Sequence, residues 1–282
     1  MNFIHHMPQR GEKLQPLDVI NGFEVRPGFY NKDGATPASN GVSFTIHSFG
    51  ATSCTLLLFK PMEKEPYAEL EFPKAYRIGN TYSMLVFGLN IQEFEYAFRL
   101  DGPYDKKNGL LFDKKNVLLD PYAKAVTGQR KWGERPESGE NFVYHARVVE
   151  NNFDWGNTEQ LEYPLEDLVI YEMHVRGFTK DATSGVSAKG TFEGLRQKIP
   201  YLKDLGVNAV ELMPIFEFDE MESARVVDGE QLYNYWGYNT VCFFAPNTGY
   251  TSVVEHNHEG DELKQLIYEL KENGIEVILD VV

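Results

Sequence analysis

The stretch Leu168-Val169-Ile170-Tyr171-Glu172-Met173-His174 is an apolar run that predicts a buried strand. The fold predicted for the C-terminal half starts from this strand. Two further buried strands are predicted at Asn208–Met213 and Ile275–Val282. Helical spacing of apolar residues lies between them, at Leu195, Ile199, Leu202 and Leu205, and again at Leu263, Leu266, Ile267 and Leu270. Pro200 interrupts the first helix, and Gly274 predicts a C-terminal cap on the second. Buried strands that alternate with helices predict a parallel sheet with right-handed crossovers.

The order of these elements is that of a (β/α)8 TIM barrel, which takes about 250 residues. Residues 165–282 provide only three strands. We therefore expect the first three β/α units of a TIM barrel in this region, with the barrel truncated and most of it beyond Val282.

The N-terminal part carries a different pattern. Val42, Phe44 and Ile46 alternate with Ser43, Thr45 and His47, which predicts a half-buried antiparallel strand. Similar short strands are predicted at Cys54–Lys60, Glu69–Phe72, Tyr82–Phe87 and Glu93–Leu100. Their spacing of roughly ten residues, broken by Gly and Pro, is typical of an immunoglobulin-like β-sandwich. We place this sandwich at residues 12–120 and a linker at residues 121–164.

Composition excludes several classes of function. The chain has 282 residues with 27 Lys plus Arg and 42 Asp plus Glu, so its net charge of -15 argues against a nucleic-acid partner. Its apolar runs are far shorter than the roughly 20 residues of a membrane span, so no membrane partner is expected. Two distant cysteines, Cys54 and Cys242, exclude a disulfide framework, and Met1–Arg10 lacks the apolar core of a secretory signal. These features predict a cytoplasmic location.

Several blocks, in a fixed order, resemble one known family. They are Tyr171-Glu172-Met173-His174-Val175-Arg176-Gly177-Phe178-Thr179, Gly190–Phe192, Leu205–Ile215, Tyr235–Asn239 and Gly274–Val282. Together they resemble the isoamylase and glycogen-debranching branch of the α-amylase superfamily, glycoside hydrolase family 13. Leu118–Ala123 and the sandwich before it resemble carbohydrate-binding module family 48 and its linker.

The resemblance implies hydrolysis of α-1,6 branch linkages in an α-glucan such as glycogen, amylopectin or limit dextrin, with retention through a covalent glycosyl-enzyme. The family's catalytic Asp, Glu and Asp follow the fourth, fifth and seventh strands, beyond Val282. No catalytic residue is therefore assigned here, and the chain alone is expected to be inactive. No cofactor and no metal are expected.

The resemblance assigns substrate binding to Tyr238 and Asp280. Active sites of TIM-barrel enzymes lie at the C-terminal ends of the strands, where Asp280 is placed. Tyr238 corresponds to the family's ring that stacks on the sugar at the cleavage site, and a polar-tipped aromatic suits such a pocket. Trp236 is expected to pack on the barrel instead.

For the other polar residues near the site, a structural role is the alternative to a catalytic or metal-binding one. The resemblance places His174 near the floor of the site, buried and hydrogen-bonded, with Arg176 beside it. Glu211, between Val210 and Leu212, is expected to be buried and to have a structural partner. The group Glu255, His256, His258, Glu259 and Asp261 has the composition of a metal site but matches no zinc spacing. We expect a solvated loop before a helix there.

Two rival functions stay open. A glucan branching transferase also carries a sandwich before its barrel, but its first-strand sequence differs from Tyr171–Thr179. A non-catalytic α-glucan-binding protein is the other alternative.

Overall fold

A computed structural model of the chain describes residues 14–127, 131–134, 143–157, 159–253 and 255–281. Among the sequence predictions, the Met1–Arg10 segment, the first two residues of the predicted sandwich and the strand end at Val282 lie outside the described residues. The chain divides into two units, one of Met1–Thr127 with Val143–Glu150 and one of Gly128–Phe142 with Asn151–Val282.

The first unit is built from short antiparallel strands. They are Asp18–Ile20 (β1), Phe23–Pro27 (β2), Gly34–Ala38 (β3), Gly41–His47 (β4), Ser53–Phe59 (β5), Pro66–Glu71 (β6), Arg77–Ile78 (β7), Thr81–Phe87 (β8), Glu95–Asp101 (β9), Tyr104–Asp105 (β10), Leu110–Leu111 (β11), Ala125–Val126 (β12) and Ala146–Arg147 (β13). One sheet has the order β1-β2-β8-β4-β3, with β7 on β8, and the other has the order β12-β13-β9-β5-β6. The two sheets bury a core that includes Phe44, Leu56 and Phe98, which confirms the predicted β-sandwich.

The polar face of β4 differs from its prediction. The sequence pattern predicts a half-buried strand, yet Ser43 and Thr45 are as buried as Val42 and Phe44. The reason is the segment after β2, whose Phe29 N–H donates to Ser43 Oγ at 2.9 Å and whose Phe29 carbonyl accepts from Thr45 Oγ1 at 3.1 Å. Because these hydroxyls have partners, they tolerate burial at little cost.

Part of the stretch predicted as a linker belongs to the sandwich. Strands β12 and β13 lie within residues 121–164, and Ala146 pairs with Tyr96 of β9. Arg147 of β13 reaches the buried carboxylate of Glu95, with 3.3 Å between Nη1 and Oε1. A buried charge needs such a partner, so this pair ties the later segment to the second sheet.

The second unit is an α/β structure. Its helices are Val175–Lys180 (α1), Phe192–Arg196 (α2), Ile199–Leu205 (α3) and Asp261–Glu272 (α4), and its strands are Ile170–Met173 (β14), Ala209–Leu212 (β15), Phe216–Phe218 (β16), Arg225–Val227 (β17), Glu230–Leu232 (β18), Thr240–Pro246 (β19) and Glu276–Leu279 (β20). Strands β14, β15 and β20 form a parallel sheet in that order, with Glu172 opposite Glu211 and Glu211 opposite Ile278. The prediction of alternating strands and helices in a partial TIM barrel is therefore confirmed.

The helix ends follow local chemistry. Pro200 stands in the first turn of α3, where a missing N–H costs nothing, so α2 and α3 are separate helices. After α4, Gly274 adopts a φ of 74°, its N–H donates to the carbonyl of Lys271, and Ile275 N–H donates to the carbonyl of Leu270. This is a Schellman cap, as the position of Gly274 predicts.

A long segment, residues 213–260, separates β15 from α4 and is called the excursion below. It contains two antiparallel hairpins, β16 with β19 and β17 with β18, of which the second is exposed throughout. The apolar pattern of the sequence predicts no strands in this segment. None of the helices in the described parts of the chain is long and apolar enough to cross a membrane.

Candidate functional site

The candidate site lies where the three parallel strands end. Asp280 directly follows β20, and its N–H donates to the carbonyl of Leu212, the last residue of β15, at 3.0 Å. Met213 N–H likewise donates to the carbonyl of Met173, at the end of β14, at 3.0 Å. These backbone hydrogen bonds extend the sheet by one residue and hold the three strand ends together. They place Asp280 at the edge of the sheet where barrel enzymes carry their sites.

Tyr238 and Asp280, the two predicted substrate-binding residues, are in direct contact. The phenolic Oη of Tyr238 donates to Oδ2 of Asp280 across 42 residues of sequence. This hydrogen bond raises the pKa of Tyr238 to about 12, with a smaller contribution from the charges of Glu172 and Glu211. Because a carboxylate oxygen can only accept, the phenol is the donor in this pair. The structure brings the pair together, and their role in binding substrate stays a prediction.

The loop that carries Tyr238, residues 233–239, turns at Gly237, where any larger residue would be strained. Gly237 adopts a φ of 83°, and a Cβ at this position would lie 2.5 Å from Cε1 of Phe218. The buried ring of Phe218 thus fixes the turn from below. As a result, Trp236 and Tyr238 flank the turn with their ring centroids 6.3 Å apart in an edge-on arrangement.

Trp236 is exposed to solvent and does not pack on the barrel as expected. The structure leaves 63% of its surface exposed, against 39% for Tyr238. Both rings line a surface cavity of about 620 Å³ that also includes Arg225 of the exposed hairpin. The physical reason is the turn at Gly237, which keeps the loop backbone on Phe218 and leaves the two side chains outward.

His174 stands beneath this loop. It is half-buried at the end of β14, and its ring stacks on Tyr235 at 4.3 Å between centroids. Its Nε2 lies 2.6 Å from the carbonyl oxygen of Tyr235, and Gly177 N–H donates to its Nδ1 at 3.0 Å. The predicted hydrogen-bonded role near the floor of the site agrees with this geometry, although the ring is only partly buried.

An aromatic cluster supports His174 from the side. Tyr250 is fully buried, and its Oη lies 3.1 Å from His174 Nε2. Trp132 stacks on Tyr250 with 6.1 Å between centroids, and the guanidinium of Arg176 lies 4.5 Å above the Trp132 ring. Burial lowers the pKa of His174, and the positive charge of Arg176 acts in the same direction. The imidazole is therefore neutral in this environment.

The excursion contains a buried carboxyl group that the sequence patterns above do not predict. Glu217 of β16 is 1% exposed and accepts a hydrogen bond from Thr248 N–H at 2.7 Å. Burial raises its pKa to about 8, and the nearby charge of Glu220 adds to the effect. Its signal in the sequence is a charged residue between two phenylalanines, Phe216 and Phe218.

Glu211, which is expected to be buried, is half-buried beside Glu172 because the face of the sheet they share is open.

The acidic and histidine-containing loop before α4 is held by local contacts of Asp261. His258 Nδ1 lies 2.9 Å from Asp261 Oδ2, and Lys264 Nζ lies 2.9 Å from Asp261 Oδ1. Among the described residues, no group of three or more His, Cys, Asp and Glu side chains is arranged to hold a metal ion. Asp261 and Glu262 also lie in the first turn of α4, where negative charge favours the helix.

Family models match both units. Residues 32–123 match carbohydrate-binding module 48, the isoamylase N-terminal domain, and residues 150–282 match the α-amylase catalytic domain. The chain belongs to the isoamylase-type branch of glycoside hydrolase family 13. This confirms the family that the Tyr171–Thr179 block and the later blocks predict.

Relatives and solved structures agree with the assignment. Chloroplastic isoamylase 1 of Arabidopsis thaliana is 36% identical over 272 residues, which are 92% of this chain and 35% of the relative. The GlgX homologue of Mycobacterium tuberculosis, a glycogen operon protein, is 37% identical over 278 residues, which are 92% of this chain and 37% of the relative. Pullulanase type I from Bacillus subtilis, solved with maltose, has a TM-score of 0.64 and 26% identity, covering 90% of this chain and 33% of its own. The chain thus spans about a third of the length of the curated relatives it matches.

Proposed function

We propose that the full-length protein hydrolyses α-1,6 branch linkages in glycogen, amylopectin or limit dextrin, with retention of configuration. The observation that carries the proposal is the Tyr238–Asp280 pair at the strand ends of a chain from the isoamylase-type branch. Relatives named isoamylase and glycogen debranching enzyme support the substrate class. So does the maltose in the structure of the related pullulanase.

The chemistry assigns a binding role to the residues present. Retaining glycosidases use two carboxyl groups about 5–5.5 Å apart, one as nucleophile and one as acid and base. In this proposal those groups come from later strands, and the chain described here is inactive alone. Tyr238 offers its ring to the apolar face of a glucose unit. Asp280 accepts from Tyr238 and, through its second oxygen, from a sugar hydroxyl, so the pair orients the sugar for attack.

The proposed partner is therefore a branched α-glucan, and the proposed compartment is the cytoplasm. The compartment rests on the two cysteines, Cys54 and Cys242, which are buried and form no disulfide, as fits a reducing environment.

The test is hydrolysis by the full-length protein of amylopectin and of linear amylose, with reducing ends and iodine colour as readouts. Debranching releases reducing ends from amylopectin and shifts the iodine colour towards that of linear chains. Release from amylose alone would refute the proposal. A colour shift in the opposite direction would identify a branching transferase, and binding without turnover would identify a glucan-binding protein.

A further inference from the structure

We propose that His174 is a positioning residue, which ties the loop carrying Tyr238 to the sheet carrying Asp280 and so sets the geometry in which the two meet the glucan. This inference rests on the proposed function for its substrate. It does not rest on that function for its geometry, which follows from the hydrogen bonds of the imidazole.

The tautomer of His174 follows from its partners. The backbone N–H of Gly177 can only donate, so Nδ1, at 3.0 Å, must be the unprotonated nitrogen. The hydrogen of the neutral ring therefore sits on Nε2, which donates to the carbonyl of Tyr235 at 2.6 Å. Only this tautomer satisfies both contacts. His174 thus caps the N-terminus of α1 with one nitrogen and holds the loop with the other.

The tether matters because, among the described residues, the loop's other hydrogen bonds are internal to the excursion, apart from the bond between Tyr238 and Asp280 that the tether positions. Asn234 N–H donates to the carbonyl of Glu220 at 2.9 Å, and the Asn239 amide donates to the Glu222 carboxylate. All four residues lie between β15 and α4, so these bonds hold the loop to itself. The bond from His174 instead reaches the end of β14, in the sheet whose third strand carries Asp280.

The path from the tether to Tyr238 is short and stiff. Only two residues, Trp236 and Gly237, separate Tyr235 from Tyr238, and Gly237 is held against Phe218 in a left-handed conformation. The imidazole also stacks on the Tyr235 ring with an interplanar angle of 10°. A displacement of Tyr235 therefore moves Tyr238 with it. Catalysis is sensitive to such shifts, since a misplacement of about 1 Å can cost about a hundredfold in rate.

The experiment is a double-mutant cycle between His174 and Tyr238 in the full-length protein. His174→Asn keeps an acceptor that caps α1, because Asn is a favoured N-cap, but its shorter amide cannot reach the Tyr235 carbonyl. We expect kcat/KM on branched glucan to fall at least tenfold in His174→Asn. In a Tyr238→Ala background the same change should have less than a twofold effect, because the residue being positioned is gone. His47→Asn, an exposed histidine of the sandwich, is the matched control and should leave kcat/KM unchanged.

Each outcome decides the inference. Equal losses from His174→Asn in the wild-type and Tyr238→Ala backgrounds would overturn it, as would an unchanged kcat/KM in the single variant. If His174→Asn does not fold, His174→Ser, which keeps a favoured N-cap oxygen and is too short to reach the Tyr235 carbonyl, is carried through the same cycle. If the wild type binds maltooligosaccharides but does not debranch, the proposed function fails, and the cycle is run on the Kd for maltohexaose, where non-additivity still supports His174 and additivity overturns it.

Discussion

The phenol of Tyr238 has two separable parts, a ring that can stack on a sugar and a hydroxyl that holds Asp280. Tyr238→Phe keeps the ring and removes the donor, so Asp280 loses the contact that orients it. We expect kcat/KM on branched glucan to fall about tenfold in Tyr238→Phe and further in Tyr238→Ala. A tenfold loss corresponds to about 1.4 kcal/mol. Tyr201→Phe, on the exposed side of α3, is the control and should have no effect. Equal activity of Tyr238→Phe and wild type would show that the hydroxyl is not used.

A second prediction concerns Glu217 and the dependence of stability on pH. Its pKa rises from an ordinary value of 4.5 to about 8 in the fold, mainly through burial. The folded carboxyl therefore holds a proton that the unfolded chain has lost between pH 4.5 and 8, so stability falls as pH rises through this window. Glu217→Gln has no proton to lose and keeps an oxygen that can accept from Thr248. We expect the variant to match wild type near pH 4.5 and to exceed its Tm by several degrees at pH 8.

The measurement is Tm against pH for wild type, Glu217→Gln and the exposed control Glu230→Gln, all in the full-length protein. Groups that titrate in all three proteins cancel in the differences between the curves. A Tm difference between wild type and Glu217→Gln that does not change with pH would show that Glu217 is ionised in the fold.

At the scale of elements, the sequence predicts those parts whose pattern is local. Apolar runs in the sequence predict strands β14, β15 and β20. A glycine directly after the periodic apolar residues of α4 predicts the cap at Gly274. The hairpin of β17 and β18 has no such signal, since its residues are exposed and its pairing depends on the excursion around it.

The candidate site shows the same division between local and tertiary information. Tyr238 and Asp280 are recognisable from the blocks in which they stand, but their contact depends on a loop that folds back over 42 residues. The tether from His174 to the Tyr235 carbonyl leaves no pattern at all, because any residue can offer a carbonyl.

The turn at Gly237 gives a prediction for this loop as an element. Gly237→Ala adds a Cβ at a φ of 83° and against the Phe218 ring, whereas Gly274→Ala adds one at a φ of 74° with only Tyr163 Oη near it, at 3.3 Å. Both variants carry the left-handed penalty of about 1–2 kcal/mol. For a unit of this size, each kcal/mol lowers Tm by about 2–4 °C. We expect both to lose stability but only Gly237→Ala to raise KM for branched glucan. A normal KM in Gly237→Ala would show that the turn does not set the site.

The parallel sheet has two open edges, and these edges favour self-association of the chain. Strands β14 and β20 each pair only with β15 among the described residues, so each offers a row of unpaired backbone groups. Apolar side chains beside them are exposed, with Val169 at 54%, Ile170 at 47% and Val281 at 62%. The net charge of -15 opposes association, but such repulsion acts over a whole surface and is screened by salt within about 8 Å at physiological ionic strength.

The 282-residue chain produced by itself should therefore self-associate and should not hydrolyse branched glucan. Size-exclusion chromatography with light scattering, at low and at physiological salt, measures the first property, and we expect larger species as salt increases. Ile170→Lys together with Val281→Lys places charge beside both open edges and should reduce association, whereas Met62→Lys, at an exposed residue in the turn between β5 and β6, should not. A monomeric chain with one cooperative melt would show that three strands bury enough surface to stand alone. Release of reducing ends by the chain would show that its own carboxylates suffice, and the assignment of catalysis to later strands would then be wrong.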